Sequence, residues 1–257
     1  MESRTHLKMR TFKNITISIV SHGQFDLLIP LLQDLRSCKL IAKIILTINI
    51  KEEIKKPKWI LDLPIFWVYN KSSKGFGSNH NHAFKFCQTK YFCILNPDIR
   101  LNQKIFLNLI LLKEKEKINI IGPSIINENN KKSINSRKFP GLFFLFSRAF
   151  SITRKEFFYK QNADILFTDW IGGMFLLFSS TDFKKLSGFD ENFFLYFEDV
   201  DICKRAKEIG FKIGQSKNYE VVHDAQRRSY YDIMHFIYHM KSYYIYLKKY
   251  FSFANPR

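Results

Sequence analysis

The chain has 257 residues, 46% of them hydrophobic, which is enough to bury one large core and excludes a disordered chain. Its four cysteines form no CxxC pair, which excludes a zinc-ligand pattern and a disulfide framework and favours a reducing compartment. The formal net charge of +18 predicts an anionic partner: nucleic acid, a phospholipid surface or a phosphorylated substrate.

The hydropathy pattern predicts no membrane-crossing segment. Residues 1–10 are polar and basic with no apolar stretch behind them, so we expect no cleaved signal peptide. The most apolar later run, 141–146, is far shorter than the roughly 20 residues that a spanning helix needs. These features predict a cytoplasmic protein that lies on a membrane rather than crossing one.

Short β-branched runs alternate with helical patterns through the first half of the chain. Strands are predicted over 15–20, 43–48, 65–69 and 91–95, with a helix through the leucines between 27 and 35. This alternation is typical of a parallel sheet with crossover helices. Since ligands of such sheets bind at the carboxyl ends of the strands, the loops after these four strands should converge on one cleft.

We expect one α/β domain over residues 1–228 and a C-terminal amphipathic helical tail over 229–257. Within 230–251 the apolar residues recur near one helical face and lysines lie among the polar positions. Such a helix either packs on the domain, which is the more common arrangement, or lies on lipid. A basic, aromatic segment over 131–160 also suits a membrane interface.

A glycine-rich motif, Gly75-Phe76-Gly77 followed by two Asn and two His that include Asn81, opens a helix directly after the third strand. Glycines let a backbone approach a ligand closely, and amides at a helix start attract phosphate. The alternative is an ordinary turn that connects a strand to a helix, for which glycine followed by an Asn cap is also typical.

The fourth strand ends in Leu95-Asn96-Pro97-Asp98, which would project Asp98 at the mouth of the cleft. A carboxylate there can hold Mg²⁺ or Mn²⁺ against a diphosphate, because these hard cations bind one or two carboxylates together with phosphate oxygens. A simple turn explains the same residues equally well. Later in the chain, Val222-His223 closes a strand, and His223 could complete a metal site or bind diphosphate.

The densest acidic motif is Glu198-Asp199-Val200-Asp201, which begins a helix that ends near Gly210. Asp201 can pair with Arg205 one turn later, so helix capping and pairing explain part of the motif. The helix dipole should favour the ionised form of Asp199, as a general base at neutral pH requires. Asp199 is therefore the predicted base.

Together these motifs resemble the inverting glycosyltransferases of family 2, which have the GT-A fold, and most closely the O-antigen rhamnosyltransferases. The resemblance covers nearly the whole chain. Its motifs are the segment 17–23, Gly75-Phe76-Gly77, Leu95-Asn96-Pro97-Asp98, Arg137-Lys138-Phe139-Pro140, Asp169-Trp170, Gly188-Phe189-Asp190, Tyr196, the segment 198–203 and Val222-His223. It implies a Rossmann-like, mostly parallel central sheet flanked by helices.

The resemblance also implies roles for individual residues. Asp199, with Glu198, matches the family's catalytic ED motif, Asp98 matches the metal-binding aspartate of a DxD-type motif, and His223 matches a histidine near the diphosphate. The expected nucleotide-sugar site comprises Ser21, His22, Gly23, Asn49, Gly75, Phe76, Gly77, Asn81, Asn96, Asp98, Trp170 and Gly173. The expected metal ligands are Asp98 and His223, holding Mg²⁺ or Mn²⁺.

One residue departs from the family pattern. Family members keep an Asp after the second strand, where it contacts the nucleoside, whereas this chain has Asn49 and no acid until Glu52. Asn49 could substitute in hydrogen bonding, but the nucleotide preference, and with it the activity, is put in question. A catalytically inactive transferase retained as a scaffold is therefore one alternative.

The resemblance points to dTDP-rhamnose as donor and to a polyprenyl-diphosphate-linked saccharide as acceptor in O-antigen or other surface polysaccharide synthesis. A UDP-sugar, such as a galactofuranosyl donor, is the alternative with the same mechanism. Basic residues would hold the enzyme at the anionic inner face of the bacterial cytoplasmic membrane. The charge alone suggests a nucleic-acid-binding protein, but no recognised module supports one, so no nucleic acid is expected.

Overall fold

The structure is a computed structural model, and it describes residues 13–127, 129, 131–133, 135–141, 162–223 and 233–251. The strands are β1 (Ile15–Ser21), β2 (Ile41–Ile48), β3 (Ile65–Tyr69), β4 (Tyr91–Leu95), β5 (Ile99–Arg100), β6 (Ile120–Ile126), β7 (Lys132–Ser133), β8 (Ser136–Arg137), β9 (Ile165–Phe167), β10 (Trp170–Ile171), β11 (Phe175–Ser179) and β12 (Ile213–His223). The α-helices are α1 (Phe25–Arg36), α2 (Phe76–Phe84), α3 (Ile105–Glu116), α4 (Ser180–Lys185), α5 (Glu198–Glu208) and α6 (Ile233–Phe251), and a 3₁₀ helix spans Lys58–Asp62.

The central sheet has the strand order β3-β2-β1-β4-β11-β6-β12-β5, with β7 and β9 attached to β6 and β12. Strands β3, β2, β1 and β4 are parallel neighbours, and β12 is parallel to β6. Strand β11 lies antiparallel between β4 and β6. The prediction of a mostly parallel sheet flanked by helices is therefore confirmed.

The four predicted strands are found, and two of them are longer than predicted. Strand β1 continues to Ser21, whose carbonyl accepts a hydrogen bond from the Asn49 N–H at 2.9 Å, and β2 begins at Ile41. The apolar stretch 170–178 forms two strands, β10 and β11, which are separated by Gly172-Gly173-Met174. The loop between these two strands lies beside the acidic motif that begins α5.

Apolar side chains from both faces of the sheet form the core. On one face, the predicted leucine stripe of α1 buries Leu28, Leu31, Leu32 and Leu35. On the other face, α5 buries Ile202, Cys203 and Ala206 with Phe178 and Phe183. Burial of these side chains is the main driving force for placing α5 against the sheet.

The C-terminal helix α6 docks on the domain with one face and leaves another exposed. Ser242, Tyr243 and Tyr246 are buried, and the two tyrosines pack with Phe193 and Phe197. Ile233, Met234, Phe236, Ile237 and Tyr244 are exposed large apolar side chains. One face of α6 therefore packs on the domain. Within the predicted basic, aromatic segment 131–160, residues 142–160 lie outside the described residues. None of the described helices has the length and hydropathy to cross a bilayer.

Two glycines with left-handed backbone provide a test of packing around α5. Gly188 has φ +68°, and a Cβ there would collide with the Asn81 amide, whereas Gly210 has φ +79° and no described atom lies within 4 Å of such a Cβ. Both Ala substitutions incur the left-handed penalty of about 1–2 kcal/mol. We expect Gly188→Ala to lower the free energy of unfolding by about 1–3 kcal/mol more than Gly210→Ala, as overpacked positions do.

Urea unfolding of the two variants measures this difference. Equal losses in the free energy of unfolding would contradict the prediction, because they would mean that the Asn81 amide can move away from the new Cβ without destabilising the fold.

Candidate active site

The carboxyl ends of the parallel strands meet at one edge, as the sequence predicts. The Asn49 N–H donates to the Ser21 carbonyl at 2.9 Å, and the Asn70 N–H donates to the Ile48 carbonyl at 3.0 Å. A cavity of about 390 Å³ opens at the ends of β2 and β3 and is lined by residues 48–51 and 69–73. Its position at the strand ends suits the nucleoside part of a ligand, at a distance along the edge from the acidic motif.

Asn49 is the centre of a hydrogen-bonded amide network beneath this cavity. Its Nδ2 donates to His22 Nδ1 at 2.9 Å and to the Lys74 carbonyl at 3.0 Å. Its Oδ1 accepts from Asn70 Nδ2 at 2.8 Å and from the Lys74 N–H at 2.9 Å. Asn49 lines the cavity but is only 3% exposed, and these four hydrogen bonds commit its side-chain amide to the protein.

This network explains why an amide stands where the family pattern has an acid. An aspartate at position 49 has no side-chain N–H, so the Lys74 carbonyl would lose the nearer of its two amide donors and keep only Asn79 Nδ2 at 3.2 Å. Asn70 Nδ2 also donates to Asn79 Oδ1 at 2.7 Å, which ties the loop after β3 to α2. The expectation that the Asn49 side chain hydrogen-bonds the nucleoside is therefore not supported by its geometry.

Ser21, His22 and Gly23 follow β1 at the same edge. The Ser21 hydroxyl is buried and has no hydrogen-bond partner among the described residues, and Gly23 turns the chain with φ +72°. The exposed His22 ring faces Asn49. These three residues therefore border the start of the cleft where the resemblance places the nucleotide.

The two glycines of the Gly75-Phe76-Gly77 motif serve protein packing, which corrects the idea that they allow approach of a ligand. A Cβ on Gly75 would lie 2.6 Å from the Phe194 carbonyl oxygen, and one on Gly77 would lie 2.7 Å from Phe189 Cβ. The Phe76 N–H at the helix start already donates to the Phe194 carbonyl at 2.9 Å. The motif thus holds α2 tightly against the segment that leads into α5.

The Asn81 side chain likewise binds protein groups. Its Nδ2 donates to the Phe189 carbonyl at 2.9 Å and to Glu191 at 3.0 Å, and its Oδ1 accepts from the Phe189 N–H at 2.8 Å. Both ends of the amide are used, so we leave Asn81 out of the donor site. Trp170 is left out for the same reason, because its indole N–H donates to the Lys138 carbonyl at 2.9 Å.

Asp98 and His223 come together at the other part of the edge. His223 pairs with Ile99 across the antiparallel β5 and β12, which brings its Nε2 to 3.1 Å from Asp98 Oδ2. Asp98 Oδ1 is buried and has no partner among the described residues. No third His, Cys, Asp or Glu joins them in the described part of the chain. A buried carboxylate oxygen without a partner, beside an imidazole, is a donor set that fits a divalent cation completed by phosphate oxygens.

Asp199 stands at the first turn of α5 and faces the loop between β10 and β11. The Gly173 N–H donates to its Oδ2 at 3.0 Å, and the Val200 N–H donates to its Oδ1 at 2.8 Å. The adjacent Glu198 is 5% exposed, and its Oε2 has no hydrogen-bond partner among the described residues. The two neighbouring carboxylates therefore have different surroundings.

Burial raises the pKa of Asp199 above its ordinary value, although the N–H groups of Gly173 and Val200 and the charge of Arg137 act in the opposite direction. Loss of water therefore outweighs the backbone donors, and it acts against the predicted effect of the helix start, which favours the ionised form of Asp199. Burial, followed by the charge of Asp199, raises the pKa of Glu198 well above its usual range. We infer that Glu198 is neutral and that Asp199 carries the charge, as a base requires.

The backbone before these acids is held in an uncommon conformation. Tyr196 has φ +69° and Phe197 has φ +65°, both in the left-handed region. Each such residue costs about 1–3 kcal/mol and persists only where the surroundings impose it. Because Phe197 is the N-cap of α5, this turn determines where the side chains of Glu198 and Asp199 point.

Short contacts link the Asp98 end of the edge to Asp199. The Asn96 N–H donates to the Met174 carbonyl at 2.9 Å, and Gly173, the residue before Met174, holds Asp199. A Cβ on Gly173 would lie 3.4 Å from the Phe76 ring. The strand end that carries Asp98, the loop with Gly173 and the start of α2 are therefore direct neighbours of the acidic motif.

Two features of the site were not predicted as site residues. Arg137, in β8, lies close enough to Asp199 to influence its pKa, and its guanidinium is 5.7 Å from the Trp170 ring centroid. Tyr69, Asn70 and Lys71 line the cavity after β3. Tyr69, Asn70 and Lys71 could have been found from the sequence, because they follow the third predicted strand and the loops after parallel strands meet at one edge of the sheet.

No family model matches the chain, but it is similar to proteins of known name and structure. Rhamnosyltransferase WbbL of Escherichia coli K12 is 29% identical over 255 residues, which cover 91% of this chain and 93% of WbbL. The N-acetylglucosaminyl-diphospho-decaprenol L-rhamnosyltransferase of Mycobacterium tuberculosis is 35% identical over 79 residues, or 30% of this chain and 26% of that protein.

Among solved structures, GalNAc-T7 with UDP, GalNAc and Mn²⁺ superposes with a TM-score of 0.61 at 12% identity. The match covers 82% of this chain, which spans 43% of that one, and it supports the GT-A fold. The long match to WbbL adds the sequence relationship that fold alone does not provide. The chain thus has the GT-A fold and is similar over nearly its whole length to a rhamnosyltransferase, which supports a rhamnosyltransferase-like hexosyltransferase.

Proposed function

We propose that the protein transfers L-rhamnose from dTDP-rhamnose, with inversion, to a polyprenyl-diphosphate-linked saccharide in surface polysaccharide synthesis. The sugar and the acceptor follow the names of two relatives, both rhamnosyltransferases and one of them specific for a diphospho-decaprenol acceptor, and dTDP as the carrier follows the family resemblance. The main observation in favour of catalysis is the position of the Asp199 carboxylate. It lies beside the loop that also contacts the end of the strand that precedes Asp98. A UDP-sugar is the alternative donor.

In the proposed reaction, Asp199 accepts the proton of an acceptor hydroxyl while that oxygen bonds to the anomeric carbon. The bond from this carbon to the donor phosphate oxygen breaks at the same time, and its electron pair leaves with the nucleoside diphosphate. The raised pKa of Asp199 makes it a stronger base than an exposed aspartate. Single displacement from the opposite face inverts the configuration.

The nucleotide part of the donor would extend from the cavity at 48–51 and 69–73 towards Asp98. Asp98 and His223 would hold a divalent cation, Mg²⁺ or Mn²⁺, which supplies positive charge against the departing diphosphate. The unpartnered Oδ1 of Asp98 supports this assignment. Ser21, His22 and Gly23 would border the nucleotide, and Asn49 would contribute through its backbone.

The exposed face of α6 is the proposed contact with the membrane that holds the acceptor, at the inner face of the cytoplasmic membrane. Ile233 is 74% and Phe236 is 64% exposed, and Lys241 and Lys248 are exposed on the same helix. Exposed apolar side chains beside lysines suit anionic lipid, and each basic residue near such a surface contributes about 1 kcal/mol. The net charge of +18 favours the same partner.

Asp199→Asn tests the base. Base catalysis contributes about 10²- to 10⁴-fold, so we expect kcat to fall at least about 100-fold while donor binding persists. Asp26→Asn is the matched control, since Asp26 is an exposed aspartate in the first turn of α1. Sugar transfer from dTDP- and UDP-sugars to a soluble lipid-diphosphate acceptor is the measurement. Transfer at the parental rate by Asp199→Asn would remove Asp199 from the mechanism.

The pH profile gives a second readout of the same group. Because the folded pKa of Asp199 is raised, the carboxyl becomes protonated, and the rate falls, at a higher pH than an ordinary aspartate would cause. As the pH is lowered, we expect kcat/KM to fall with an apparent pKa above about 4, which is the pKa of an unperturbed aspartate. An apparent pKa at or below that value contradicts the argument from burial.

A thermal-shift panel of dTDP- and UDP-sugars, with and without Mn²⁺, tests the donor and cation. A ligand that binds only the folded state raises its stability, by about 2.7 kcal/mol at a hundredfold excess over Kd. We expect the Mn²⁺-dependent part of the shift to disappear in Asp98→Asn and to remain in Asp26→Asn. An unchanged Mn²⁺ effect in Asp98→Asn would place the cation elsewhere.

Flotation with vesicles of neutral or anionic phospholipid tests the membrane contact. The double variant Phe236→Ser with Ile237→Ser should reduce the fraction bound to anionic vesicles severalfold, because it removes exposed apolar area from α6. Leu61→Ser is the control, since Leu61 is 83% exposed in the 3₁₀ helix. Binding that ignores lipid charge, or that survives the double variant, would refute this contact.

A further inference from the structure

Helix α6 is anchored to α5 by a buried cluster of charges. Lys249 Nζ lies 2.6 Å from Asp190 Oδ2 and 2.7 Å from Asp201 Oδ1, so one ammonium bridges two carboxylates. The Tyr250 hydroxyl donates to the same Asp201 oxygen at 2.7 Å. Arg205 occupies the other oxygen of Asp201 at 2.8 Å. The Asp201 side chain is fully buried, so these contacts are shielded from water and from salt.

The same helix contacts each residue of the turn that precedes Glu198 and Asp199. Ser242 Oγ donates to the Leu195 carbonyl at 2.8 Å, and the Tyr196 hydroxyl lies 2.8 Å from His235 Nδ1. The Phe197 ring packs against His239, Tyr243 and Tyr246, with centroid distances of 5.3 to 5.5 Å. The left-handed turn at Tyr196 and Phe197 is therefore held from outside by α6.

Helix α5 has no side-chain N-cap that could hold the turn before Glu198 in place. Phe197 occupies the N-cap and makes no side-chain cap hydrogen bond. In contrast, Ser179 Oγ caps α4 by accepting from the Asp182 N–H at 3.2 Å. Since a side-chain cap ordinarily helps to define a helix start, the contacts from α6 take its place in α5.

We propose that α6 is a positioning element of the catalytic centre, with Lys249 as its main positioning residue. Lys249 fixes α5 from its buried side through Asp201, and the α6 aromatic side chains fix the turn before Glu198. Together they orient the Asp199 carboxylate towards Gly173. The proposal rests on the proposed role of Asp199 as base, and it assigns to Lys249 an effect on the chemical step rather than on donor binding.

Lys249→Met tests the proposal, and Lys184→Met, which changes an exposed lysine of α4 outside the proposed membrane contact, is the matched control. We expect Lys249→Met to lower kcat at least tenfold, to shift the acidic limb of the pH profile, and to leave the dissociation constant for the donor within about twofold. Lys249→Arg should recover part of kcat, because it restores a cation between Asp190 and Asp201. Lys184→Met should match the parental protein.

Hydrogen–deuterium exchange supplies a readout independent of activity. Amides of residues 195–201 should exchange faster in Lys249→Met than in Lys184→Met, and Tyr250→Phe, a milder change, should give a smaller effect in the same direction. A parental protein that transfers no sugar refutes the proposed function, while this exchange still tests the positioning. Parental kcat, or unchanged exchange at 195–201 in both Lys249→Met and Tyr250→Phe, refutes the positioning role.

Discussion

The site depends on the hydrogen bond from the Gly173 N–H to the Asp199 carboxylate. Gly173 belongs to the loop between two strands of the C-terminal half, and that loop is bonded to Asn96 at the end of β4. Asp199 belongs to α5, which packs on the face of the sheet. One backbone donor thus joins the helix to the edge where the parallel strands end. Without this junction the acidic motif and the Asp98 strand end would belong to separate parts of the fold.

The acids of the motif around α5 have different tasks although they lie within a few residues of each other. Asp199 faces the cleft and binds backbone N–H groups, Glu198 is buried with an unpaired oxygen, and Asp201 faces Lys249, Arg205 and Tyr250. Helical geometry separates them, because residues two apart on a helix project in different directions. Each acid can therefore make its own set of contacts although the three are close neighbours in the chain.

The amide network around Asn49 shows how a departure from a family pattern can be structural. The side chain donates to two acceptors and accepts from two donors, and it supports the loop that borders the cavity. Replacing a carboxylate by an amide therefore changes which groups are available to a nucleotide, while the cavity itself persists. This arrangement does not favour the inactive scaffold, since the Asp98 and Asp199 surroundings remain assembled.

The family resemblance singled out Asp98 and His223, and the sequence by itself determined the alternation of strands and helices and the edge at which a ligand is expected. These follow from periodicity and from parallel topology, which depend on residues close together in the chain. The tertiary structure alone decided that Gly75 serves backbone packing, that Asn81 binds protein groups, and that the pKa of Asp199 is raised. The tertiary contacts of these residues, such as Phe189 with Asn81 and Gly173 with Asp199, join positions 108 and 26 apart in the chain, so no local pattern contains the steric approach or the loss of water that they produce.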